Sequence, residues 1–125
     1  MSILLLCVTD VYADSNDQLC RLFPETYNAT SRISLVSSFL PSLFIGSIAP
    51  IEVSDASGMN LMNVLTYKWE DNLLEFCGGP ELRQKIGPEP APGGTVLGKI
   101  SDYWVQKWGF NPGMFDLHFQ TSTHQ

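Results

Sequence analysis

SRISLVSSFLPSLFIGSIAPIEVSDASGMNLMNV, residues 31–64, is the stretch whose reading decides the fold. Ile33, Val36, Leu40, Leu43 and Phe44 recur at three- and four-residue spacing, the period of one helix face. The spacing predicts a helix over 32–46, with Thr30 or Ser31 as its N-cap and Gly46 as its C-cap. Pro41 lies inside it and should kink or restart it, because proline has no N–H to donate. Leu35 and Phe39 widen the stripe until little polar surface is left. A helix apolar on most sides is expected to be buried, and it needs neighbours that the remaining sequence barely supplies. Beyond it, Ile48–Val53 is β-branched but broken by Pro50, the pattern of an edge strand or a linker. Ser54–Asn60 is rich in small residues and reads as a turn in which Gly58 takes an unusual dihedral.

Working outward, Leu61 to Trp69 reads as a strand or hairpin, with Met59, Leu61 and Met62 on core or strand faces. Glu70–Cys77 is amphipathic, with Leu73, Leu74 and Cys77 on one side, and Gly78-Gly79-Pro80 ends it. Glu81–Ile86 is a further turn or two of helix. GPEPAPGG at 87–94 is a loop. Thr95–Ile100 reads as a strand, and Ser101 caps a helix from Asp102 to Trp108 that Gly109 closes. Asn111-Pro112-Gly113 turns the chain into a strand over 114–119. Upstream, residues 3–9 read as a strand, and Asp14–Asp17 as a turn capping a helix through Gln18 to Phe23 that Pro24 stops. Strands alternating with helices indicate an α/β fold.

Composition narrows the function. The 125 residues are 44% hydrophobic and 16% charged, which is globular rather than disordered. The net charge of −6 and seven scattered Lys and Arg exclude a duplex-binding face, so no nucleic-acid partner is expected. No run of apolar residues reaches membrane-spanning length, and no membrane partner is expected. Cys7, Cys20 and Cys77 are widely spaced, without a Cys-x-x-Cys pair, and His118 and His124 lie at the far end. No zinc site follows, and the cysteines read as reduced thiols of a cytoplasmic protein. A competing secreted reading rests on Ile3–Val8, the Val11-Tyr12-Ala13 tripeptide and the sequon Asn28-Ala29-Thr30. The missing basic n-region and the short apolar run count against it.

Three stretches, taken in order, resemble one known family: residues 31–64 quoted above, WEDNLLEFCGGPELRQKIG (69–87) and VLGKISDYWVQKWGFNPG (96–113). They are similar to the FGGY sugar kinases, which include xylulose, glycerol and gluconate kinases. Within them, the apolar helix and the Met-Asn after the turn favour the eukaryotic xylulose type. The resemblance implies part of a ribonuclease-H-like, actin-like ATPase α/β domain, the N-terminal sugar-binding domain of these kinases. Residues 31–113 would be the partial domain, 1–30 a divergent N-terminal segment and 114–125 a divergent tail. It implies an ATP- and magnesium-dependent transfer of phosphate to D-xylulose in the cleft between two domains, with an aspartate as general base.

The departures are equally informative. The family's first strand carries an aspartate and a phosphate-binding hairpin, but no glycine- or threonine-rich hairpin follows Asp10. The base lies in a Gly-Asp-Asn motif after the strand that follows NPG; here Asn111-Pro112-Gly113 runs into MFDLHFQTST, and Asp116 falls too early. The expectation is an incomplete portion of a larger cytoplasmic kinase that catalyses nothing alone, because phosphoryl transfer needs its parts together. No catalytic residue, metal ligand or cofactor site is assigned in the chain.

Asp55, Ser57 and Asn60 are the candidate substrate-binding residues, because the family places the SDASGMN turn in the sugar-binding domain; the competing reading is that they only shape a turn. Arg32 reads as a surface charge in preference to a sugar or phosphate contact. Trp69, Trp104 and Trp108 read as core in preference to sugar-stacking platforms. Asp102 reads as a helix-start charge, and Cys77 as a buried, inert thiol. Asp116 and His118 would share a strand face without forming a proton relay. Two further roles compete: an interaction remnant that docks on a full-length sugar kinase, and a small secreted glycoprotein.

Overall fold

The computed structural model describes residues 4–8, 13–112 and 116–118. Asp10 and the Val11-Tyr12 pair of the secretory reading lie outside the described residues. The first unit is a β–α–α–β crossover: β1 (Leu4–Val8), α1 (Ala13–Leu22), α2 (Pro24–Ala29) and β2 (Thr30–Leu35). β1 and β2 are parallel, running from Leu4↔Thr30 to Val8↔Leu35 with a register shift between Leu4 and Leu5. Parallel strands require such a crossover, because a tight turn reverses the chain. Pro24 does not simply end a helix. It sits in the first turn of α2, where its missing N–H is harmless. α1 starts at Ala13, so Asp14–Asp17 is helical rather than a turn.

The expected 32–46 helix is corrected. Its first residues belong to β2, and α3 covers only Val36–Ile45, with Leu35 at the N-cap position in place of Thr30 or Ser31. Ile33 fits a helix stripe and a strand face equally well, and pairing with β1 decides the matter. Gly46 is the left-handed C-cap, at φ 73°. Ser101 N–H donates to the Phe44 carbonyl at 2.8 Å and Trp104 Nε1 to the Leu43 carbonyl at 2.8 Å, which satisfies two carbonyls at the end of α3. α3 is not the buried helix its composition predicts. Ser38 is its only buried residue, and Val36, Leu40 and Leu43 are 46%, 53% and 45% exposed.

Residues 48–52 form a linker, held by Val53 N–H to Ala91 O at 2.9 Å and Ala91 N–H to Ile51 O at 2.8 Å. The SDASG segment is not a turn but a short helix, α4 (Val53–Gly58). Glu52 makes it so, because its Oε2 accepts the Ser54 N–H at 2.8 Å. Gly58 has no positive φ; the left-handed residue is Asn60, at φ 59°, just past the helix.

β3 (Met62–Asn63) and β4 (Lys68–Trp69) form the expected hairpin, followed by α5 (Asp71–Gly78) and α6 (Leu82–Ile86). β5 (Val96–Lys99), α7 (Asp102–Trp108) and β6 (Asp116–His118) follow, with β5 and β6 antiparallel. Ser101 occupies the N-cap position of α7 without a side-chain cap bond. Tyr27, Ile33, Ile51, Ala56, Met59, Leu61, Met62, Trp69, Leu74, Cys77, Leu82 and Ile86 form one core cluster. Leu73 falls off that face and is exposed. Of the tryptophans expected in the core, Trp69 is there, Trp104 is half-buried against Phe44 at 5.2 Å, and Trp108 is 64% exposed. Trp108 ends a helix on which no residue is buried.

Candidate functional site

The candidate residues lie on α4 and the turn after it. Asp55 is half-buried, and its Oδ2 accepts the Ser37 hydroxyl at 2.5 Å, tying α4 to α3. Its carbonyl accepts the Met59 N–H at 3.0 Å. Ser57 is half-buried, and its carbonyl accepts the Asn60 N–H at 3.2 Å. Asn60 is exposed in the left-handed conformation that asparagine tolerates at a helix end. Positions 55 and 57 are two apart on a helix, so they point to different sides. The structure therefore gathers these three residues along one short segment and does not converge their side chains on one point.

A cleft of about 250 Å³ lies beside this segment, lined by Glu52, Val53, Tyr67, Pro90, Pro92 and Gly93. Its walls come from the start of α4, the hairpin tip and the 87–94 loop. Tyr67 is exposed and held at φ 55°. Sequence reasoning missed Glu52 and Tyr67. The glutamate three residues before Asp55 was a legible helix-start signal, but the meeting of the hairpin tip with the proline loop had no local signal.

Polar groups staple the surrounding elements together. Arg83 donates from Nη1 to the Gly87 carbonyl and from Nη2 to Glu89 Oε1 at 2.6 Å, and its Nε lies 3.4 Å from Asp71 Oδ1. Glu89 Oε2 accepts the Trp69 N–H at 2.8 Å, and Trp69 Nε1 donates to the Pro88 carbonyl at 2.6 Å. Tyr27 donates to the Gly78 carbonyl at 2.6 Å. Burial, followed by the charges of Cys20 and Glu81, pushes its hydroxyl up to about 12. Lys85 is buried, donates to the Thr30 carbonyl at 2.7 Å, and sits 4.9 Å from the centre of the Tyr27 ring. Arg32 is not the surface charge expected: it is half-buried, with its guanidinium lowered in pKa by desolvation.

No group of three or more His, Cys, Asp or Glu side chains converges among the described residues. The starts of α4 and α5 carry the acidic residues Asp55 and Asp71, the wrong charge for a nucleotide phosphate. Neither of these two helix starts is suited to holding the phosphates of magnesium-ATP. Among the described residues no helix is long and apolar enough to cross a membrane.

The α/β unit and the cleft beside α4 do not name a class by themselves, but the sequence does. Residues 19–115 match the N-terminal domain of the FGGY family of carbohydrate kinases, and the chain belongs to that family. Its fold is accordingly part of the actin-like, ribonuclease-H-like α/β domain. The chain is 50% identical over 95 residues to the probable D-xylulose kinase A of Aspergillus flavus, which covers 73% of this chain and 17% of that protein. It is 48% identical over 96 residues to the probable D-xylulose kinase A of Arthroderma otae and 47% identical over 96 residues to the D-xylulose kinase A of Aspergillus niger. These two matches each cover 74% of this chain and 17% of the relative.

Proposed function

We propose that this chain is a portion of the sugar-side domain of an ATP-dependent D-xylulose kinase, in which D-xylulose becomes D-xylulose 5-phosphate. The observation that carries this reading is the 50% identity over 95 residues to a probable D-xylulose kinase A. Asp55, Ser57 and Asn60 border the sugar cleft in this reading. Magnesium-ATP and the general base belong to parts of the enzyme other than the described residues. The 125-residue polypeptide by itself does not turn over, because positioning and charge neutralisation act as a unit. The setting is cytoplasmic, where D-xylulose and ATP meet.

A chimera provides the test. Residues 31–113 replace the aligned residues of the Aspergillus niger D-xylulose kinase A, and ATP-dependent phosphorylation of D-xylulose is measured beside the isolated 125-residue chain. A working chimera with an inert isolated chain is the expected result. An isolated chain that consumes ATP with D-xylulose, or a folded chimera that phosphorylates another sugar instead, overturns the reading. The apolar face left open on α3 favours a second reading, in which the chain docks on a full-length sugar kinase without catalysing.

A further inference from the structure

We draw no further inference here: the strongest candidate, the open apolar face of α3 with the groove of about 300 Å³ that Phe39, Leu43 and Ile48 line at its C-terminal end, carries nothing, because nothing in the structure shows what covers it.

Discussion

Helix α3 and the segment from Trp69 to Pro90 end in opposite states, and the more apolar of the two is the one left open. Leucine, isoleucine and phenylalanine make up half of α3 but under a quarter of residues 69–90. In the segment, Trp69, Leu74, Leu82 and Ile86 are buried, and Arg83, Glu89 and the Trp69 indole fix the loop that covers them. Helix α3 has no charged residue and leaves three large side chains about half in water. The difference is that α5 packs on α1 and α6, and α6 on β2, whereas α3 meets β1, β2, β5, the indole of Trp104 and, through Ser37, Asp55 of α4.

The largest expected effect puts the two regions side by side. Leu82→Ala should cost about 2–5 kcal/mol in chemical denaturation, as for other fully buried leucines. Leu40→Ala on α3 should stay within about 0.5 kcal/mol. Equal losses would mean that the α3 face is covered in solution. Next come two glycines. Gly87→Ala meets both an unfavourable φ and the Arg32 guanidinium, and should cost about 2–3 kcal/mol. Gly58→Ala finds open space at the end of α4, and should be neutral or gain up to about 1 kcal/mol. Thermal melts of the two variants read this directly.

The smallest effect appears only in alkali. Tyr27 titrates at about 12 in the folded chain against an ordinary 10.0, so the folded state holds the proton more tightly. Its contribution is therefore complete below pH 10 and is lost as the pH rises through about 12. Stability against pH should fall across that window in the native chain and fall less in Tyr27→Phe. Identical profiles would remove Tyr27 from the closed region's set of anchors.

Much of the architecture was legible. The hairpin, α5, the Gly46 and Gly109 caps and the strand at 96–99 sit where local signals placed them, because turn and cap residues act within a few positions. The family match likewise rests on residues that read in order along the chain. The local structure of the candidate segment was less legible. Asp55, Ser57 and Asn60 read as parts of a turn where the structure has a short helix, the Ser37 bond to Asp55 spans eighteen residues, and the placing of Tyr67 on one cleft with the proline loop has no sequence period.

Sequence alone determined the α/β class, the family and the sites where the chain turns, because these depend on backbone conformations and residue orders set over short distances. Only the tertiary structure decided that Ile33 belongs to a strand, that α3 stays open, and that Arg32 lies on Gly87. Each of those outcomes turns on which distant surface arrives opposite a side chain. A residue's own neighbours in the chain carry no physical record of that arrival.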